Sequence, residues 1–573
     1  MYIQRNKSIS KTGKIYRSVL LCEKYRDNGK IKTRVLSNLS SLDSTVIVGL
    51  ENIIKQPDNT LVKLKDIEVE KTIDYGLSYL LIKIMNEQRI SELFEKTMPE
   101  QAAILKALIV GRIITRGSKL GIYNWLQRNP EVCTKLNLDI SKIKTDEVYA
   151  SLSFLDSLHG KLEKKWFKYN KAKHNEVYLY DITSTYFEGT QNELSAFGYN
   201  RDKKKGKMQI NIGMITDNQG FPLKIQVFEG NVKDDKTTLE QINILKEEFN
   251  TDNIIFVGDR GMKIRYNLEQ LDEAKKEGID YITGLTHSEI RSLIDQNIIQ
   301  LSLFTKELAE VEHEGQRYIL SVNEILKEQE LEYLKNIRAI ADNEISDIKA
   351  SWEKRKKKNE DNAVRIKNGY KNKKLKVSFS DDDIDNYKLR IEKIFAKRKM
   401  KRYFSITEIS NEKFIIDFNA TKYTEAKKLA GKYVVSTTVN KDRMDKTEIR
   451  QEYKNLQNVE HAFRDLKSNN IQIRPVYHRK AEQTRGHVFL TMFCYSIIKE
   501  MENKIFPFLE TWNKKKNKKL SFFDILEELK AIKSVELKIG KNAKTIKITK
   551  PNEIQTQILK LFKIKNNELE KGM

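Results

Sequence analysis

Three carboxylates, Asp181, Asp259 and Glu460, stand in settings that an ordinary surface acid does not have. Asp181 follows the apolar-aromatic run 177–180 and precedes Ile182, so it lies inside a strand that reads as buried. A carboxylate there is costly unless a cation compensates its charge. Asp259 follows the apolar run 254–257, with Gly258 before it and Gly261 shortly after. That is the carboxyl end of a strand, where α/β sheets place ligands. Glu460 belongs to a helical pattern whose apolar stripe is Leu456, Val459, Phe463 and Leu466. Tyr453, Glu460 and Lys467 follow one another at two-turn intervals and form an adjacent stripe, with Arg464 one turn beyond Glu460. Three carboxylates from two strands and a helix suit a pair of Mg²⁺ ions, which prefer oxygen ligands and retain several waters. Two ions ~3.5–4 Å apart activate an attacking oxygen and stabilise a leaving one in an in-line phosphoryl displacement. Taken singly, such an Asp reads as a turn residue and such a Glu as a surface charge; their joint context carries the case.

Other chemistries lack their residues. Cys22, Cys133 and Cys494 are far apart and show no paired spacing, against a disulfide framework or a structural zinc site. The histidines, including His461 and His478, lack the HExxH spacing. Gly111 and Gly117 are one residue too far apart for a phosphate loop, and no Ser/His/Asp elbow occurs. Arg260 beside Asp259 has no matching His–Arg–Tyr set of the tyrosine-recombinase kind.

The elements that must position these groups follow from hydrophobic period. The first sixty-odd residues read as small β structure, with a turn at Asn28 and Gly29. Residues 72–160 turn helical, with Leu77, Leu80, Leu81 and Ile84 at spacings of three and four. Lys106, Arg112, Arg116 and Lys119 give that segment a scattered basic face, either a DNA-binding surface or a solvated one. Strand patterns at 177–180, 209–215 and 223–228, a hairpin turn at 217–220, a helix over 237–249 and a buried strand at 254–257 predict an α/β core with a mixed sheet. Residues 307–347 read as charged and helical, 352–376 as a dense Lys/Arg run, and 402–406 and 414–418 as strands. Together they suggest an inserted subdomain. A strand at 431–439 and helices at 446–469, 482–500, 522–529 and 552–562 complete the chain.

With 573 residues, several folding units are expected. The 39% apolar and 9% aromatic content suits packed domains, not a disordered chain. A formal charge of +25 favours a polyanion, whose counterions are released on binding, and points to nucleic acid. Residues 1–11 are polar and basic, without a signal-peptide stretch, and the apolar run 488–498 is too short to span ~30 Å of hydrocarbon at ~1.5 Å per residue. A cytoplasmic, nucleoid-associated protein with no membrane contact is expected.

At these residues the chain resembles the DDE transposases of bacterial insertion sequences, in the insertion-sequence-four-like superfamily and its group with a long insertion before the final Glu. The resemblance runs through 180–189, then Gly198, Tyr199, Asn200, Arg201 and Asp202, then Gln209, residues 220–223, Gly230, Asn231 and Asp234. It continues through 257–262 around Asp259, through 453–468 around Glu460, and through 473–478, Gly486 and His487. The family's helix signature is Tyr, two residues, Arg, three residues, Glu, six residues, Lys. Tyr453, Glu460 and Lys467 fit it, while Leu456 stands at the Arg place and Arg464 is its candidate substitute.

The resemblance implies a ribonuclease-H-like core, Mg²⁺ with Mn²⁺ as substitute, and binding to terminal inverted repeats. It implies cleavage at the element end and strand transfer into target DNA, with a homodimer expected on the DNA. Tyr453, Arg464, Lys467 and Arg260 are candidate DNA contacts. Trp352, in the insertion, is a candidate for stacking on a flipped base, against a plain packing role. The expected division is a β-rich region 1–70, a helical DNA-binding region 71–165, the core 166–300, a basic α+β insertion 301–430, the core's second part 431–505, and a basic helical tail 506–573. A stand-alone ribonuclease-H-like metal nuclease and a non-catalytic DNA-binding derivative remain the alternatives.

Overall fold

The computed structural model describes all residues except 12, 28, 56–66, 171–175, 200, 203, 233–236, 238–239, 243, 246–252, 261–277, 371–374, 469–470, 475, 518, 540–542 and 572–573. The expected turn at Asn28, most of the helix at 237–249, and Asn200, Asp234, Gly261 and Met262 of the resembling stretches lie outside the described residues.

The chain divides into two compact units. The first gathers 1–85, 125–140 and 500–573. Its N-terminal part is an antiparallel sheet of Tyr2–Ile9, Ile15–Asp27 and Lys30–Asn38, followed by helix Ser44–Lys55. A second sheet pairs Ile67–Asp74 with Lys533–Ile539, which in turn pairs with Ala543–Ile548. The tail at 506–573 is therefore not purely helical, as its composition suggested. In Lys533–Ile539 the apolar Val535, Leu537 and Ile539 alternate with Ser534, Glu536 and Lys538, a strand period hidden among charges.

The second unit comprises 86–124 and 141–499. Its centre is an eight-stranded mixed sheet, with strands β1 (Val177–Tyr186), β2 (Gln209–Asp217), β3 (Pro222–Glu229), β4 (Ile254–Gly258), β5 (Ile279–Gly284), β6 (Ala309–His313), β7 (Gln316–Val322) and β8 (Lys432–Thr437). Their order across the sheet is β6-β7-β8-β5-β4-β1-β2-β3. β4 runs parallel to both β1 and β5, and every other pairing is antiparallel. β2 and β4 are buried along their whole length, as central strands covered on both faces should be. One core under this sheet joins Tyr178, Tyr180 and Ile182 of β1 to Phe256 of β4 and Tyr281 of β5.

Residues 309–322 were expected to be helical and part of the insertion; they form β6 and β7 and widen the sheet. Their strand character comes from Tyr318, Ile319 and Leu320, whose burial against β8 outweighs the helix-favouring Glu310 and Glu312. The chain then leaves the sheet after β7 and returns at β8. Between them lie helix Glu324–Lys367, helix Asp381–Lys397, the hairpin Phe404–Ile409 and Phe414–Phe418, and helix Ala420–Lys428. These elements share a core of Ile337, Ala341, Ile348, Trp352, Tyr387, Ile391, Phe395 and Tyr423.

Lys106, Arg112 and Lys119 of the helical segment do not form an exposed basic face. Helix Pro99–Thr115 is buried almost throughout, and Lys106, Arg112 and Lys119 are each 5% exposed. Lys106 pairs with Glu95 at 2.6 Å, and Arg112 donates to the carbonyls of Gly117 and Gln472. Among the described residues no helix is long and apolar enough to cross a membrane.

Candidate active site

β1 and β4 lie side by side and parallel, with Tyr180 opposite Gly258. Asp181 is the next residue of β1 and Asp259 directly follows the end of β4, so both acids stand at the same end of this strand pair, whose chains run ~4.8 Å apart. Asp181 Oδ1 accepts from the Ile182 N–H at 2.8 Å, and Asp259 Oδ1 accepts from the Arg260 N–H at 2.7 Å.

Helix Lys446–Lys467 carries the third carboxylate across them. It starts at a capping box, in which Asp445 accepts from the Thr447 and Glu448 N–H groups and Glu448 accepts from the Asp445 N–H at 2.8 Å. Its buried stripe of Ile449, Leu456, Val459, Phe463 and Leu466 packs against β1, β4 and β5. Three further contacts fix its position. The β2–β3 turn docks on it, Asn458 Nδ2 donating to the Asn218 carbonyl at 2.8 Å, and Gly220, at φ 85°, packs so close that a Cβ would come within 3.0 Å of Asn458. Tyr453 lays its hydroxyl on Gly284 at the end of β5, where any Cβ would overlap it. At the other end Lys467 Nζ donates to Thr183 Oγ1 at 2.6 Å, to the Ser184 carbonyl and to Asp202 Oδ1 at 3.2 Å.

The outcome is one open cavity of about 200 Å³ lined by Asp181, Asp259, Glu460, Tyr453 and Gln457 among others. Glu460 and Asp259 are exposed; Asp181 is half-buried. Burial pushes the Asp181 carboxyl up to about 7, with repulsion from Asp259 and Glu460 adding to it, against the Ile182 N–H and the charge of Arg201. A buried acid repelled by two acidic neighbours fits a cation. All the cavity's carboxylate donors are hard oxygens, and among the described residues no His or Cys lines it, which suits Mg²⁺ or Mn²⁺.

The candidate DNA contacts fare differently. Tyr453 lines the cavity; burial raises its phenol's pKa, and the Arg260 guanidinium beside it counteracts. Arg260 and Arg464 are exposed. Lys467 is not presented to a ligand, because its ammonium is spent on Thr183, Ser184 and Asp202, and burial lowers its pKa. Trp352 is 4% exposed, stacked on Phe379 at 5.8 Å with its Nε1–H donated to the Ser410 carbonyl at 3.1 Å. No face of that indole is open to a base. Spacing along the chain did not single out Arg201 beside Asp181, the Asp202 anchor, or Gly284. Arg201 and Asp202 lie in the Gly198–Asp202 stretch that carries the resemblance, which was their only signal.

The chain's own family bears on this arrangement. A transposase DDE domain model matches residues 173–497, and the model of the IS1634 family transposase N-terminal domain matches residues 3–60. The chain belongs to the transposases with a DDE domain. No curated protein matches it. Among solved structures, a piggyBac transposase in a synaptic complex with hairpin DNA is similar over 79% of this chain and 69% of its own, at 8% identity and a TM-score of 0.29.

Proposed function

We propose that this transposase binds the terminal inverted repeats of its insertion sequence, cuts DNA at the element end and joins the freed 3′ end to target DNA. Asp181, Asp259 and Glu460 are its proposed metal ligands and catalytic residues. The observation that carries this reading is their convergence, from two adjacent strands and one helix, on a single cavity. Mg²⁺ held there would supply an activated attacking oxygen and neutralise the leaving one. The protein's own part is to fix the three acids. β1 and β4 hold the two aspartates in register, and the pinned helix holds Glu460. Arg260 and Arg464, exposed near the acids, are proposed to take DNA phosphates.

Three antiparallel strands continued by two parallel ones, with an acid on the central strand and another directly after its parallel neighbour, support a ribonuclease-H-like reading of the core. The N-terminal sheet supports DNA binding. Lys7 faces Arg17 directly across its ladder, a like-charge pair that a phosphate backbone would relieve. Two copies are proposed to hold the two ends.

The test incubates the protein with a labelled element end, a target plasmid and Mg²⁺. Joined products are expected. Nicking without joining would leave a nuclease, and end binding without nicking a non-catalytic DNA binder.

A further inference from the structure

A second cavity, of about 550 Å³, has no part in the chemistry above. Arg112 and Lys119 stand in it almost wholly out of water. Arg112 spends its terminal nitrogens on the carbonyls of Gly117 and Gln472, and its buried Nε has no acceptor. The Lys119 ammonium bonds His487 Nδ1, and His487 Nε2 faces the Ile473 carbonyl at 3.3 Å. Among the described residues no carboxylate pairs with either cation. Asp146 lines the cavity but is exposed and makes no ion pair with them. The groups therefore burden one another. Burial and then Arg112 depress Lys119, while burial, Lys119 and Arg112 push His478 down to about 3. Arg479 and Lys480 add exposed positive charge at the cavity. Buried cations without a counter-charge are costly, and an anion would relieve all of them at once.

The segment that closes this cavity is stitched to the strand bearing Asp181. Phe187 bridges Val476 in parallel, and the Glu188 N–H donates to the Val476 carbonyl at 2.9 Å. Phe187 lies six residues beyond Asp181, or about 20 Å at ~3.3 Å per strand residue. A DNA strand advances ~3.4 Å per nucleotide, so the same span is about six nucleotides. Tyr477, 66% exposed, separates this cavity from a smaller one lined by 187–191.

We propose that the Arg112–Lys119 cavity binds one backbone phosphate of the DNA, about six nucleotides from the bond cut at Asp181. The assignment rests on the DNA reading above and gives that DNA a second fixed point, which sets the register of the cut.

The test uses the full chain and an end duplex with one neutral methylphosphonate placed in turn four to eight nucleotides from the cleavage site. In the native protein one position in that window is expected to weaken binding about tenfold. The same substitution should leave Lys119→Met unaffected, and that variant's plot of log K against log salt should be shallower by about one. Lys119→Met removes a buried charge and should melt no lower than the native protein. If it does melt lower, the exposed Arg479→Gln takes its place in the same comparison. A native protein indifferent to every position in the window, or a variant as sensitive as the native, overturns the proposal while the DNA reading stands. Inorganic phosphate that raises the melting temperature only when Lys119 is present, without a methylphosphonate effect, would make this a free-anion site and overturn it equally. Failure to bind any duplex would refute the DNA reading itself.

Discussion

Asp181 is the acid whose chemistry the fold has altered most. Its carboxyl, raised to about 7, binds a proton more tightly folded than unfolded, where it titrates near ~3.9. Between those values the folded state holds more protons, so metal-free stability falls as pH rises toward 7 and then levels off. Asp181→Asn should remove that fall. Melting curves in chelator at pH 5 and pH 8 should find the variant gaining on the native protein as pH rises, and Mg²⁺ at pH 8 should restore the native more than the variant. A gap independent of pH would contradict the assignment. Activity is expected to behave as one unit. Asp181→Asn, Asp259→Asn and Glu460→Gln should each lower cleavage by roughly 10³-fold or more, with double variants little worse than single ones. Single-turnover assays on a bound end would measure this. At this scale the sequence exposed the acids through their neighbours: an apolar run before each Asp, and a seven-residue stripe through Glu460. It did not expose what Lys467 touches, because Thr183, Ser184 and Asp202 become its neighbours only when β1 and the helix pack.

The elements explain why the acids meet. Helix Lys446–Lys467 is held by Tyr453 at one end and Lys467 at the other, so Glu460 is positioned by residues two turns away on each side. Gly284→Ala should force Tyr453 out, cost about 1–3 kcal/mol of stability and depress cleavage. Adding Tyr453→Phe, which removes the overlapping hydroxyl, should recover part of the stability, read by thermal denaturation. The insertion offers a second case. Trp352→Ala should cost about 3–5 kcal/mol, because the indole fills the core between Phe379 and Phe414. A variant of native stability with impaired DNA chemistry would restore a base-stacking role. The flanking run Lys354, Arg355, Lys356, Lys357 and Lys358 carries no sign of whether Trp352 packs or stacks on a base. A helix hides such a residue, since its buried stripe takes only one position in three or four and the others carry the charge. β6 and β7 were obscured likewise by Glu310, Glu312 and Arg317, the last of which is buried in an ion pair with Glu310 at 2.7 Å. The paired strands of the C-terminal region were hidden because their partner, Ile67–Asp74, is more than four hundred residues away along the chain.

For the molecule as a whole, the charge of +25 states a polyanionic partner without locating it. If six to ten phosphates are neutralised, end binding should weaken by ~10³–10⁵ between 50 and 200 mM salt, a dependence that titration would read directly. The three acids could be located by reading along the chain, but their meeting is a property of the β1–β4 register and the docked helix. The most direct test of that meeting is diffraction from Mn²⁺-soaked crystals of the protein bound to an end duplex. Anomalous peaks within coordination distance of Asp181, Asp259 and Glu460 together are predicted. Peaks bound elsewhere, with these three acids left without a metal, would contradict the account.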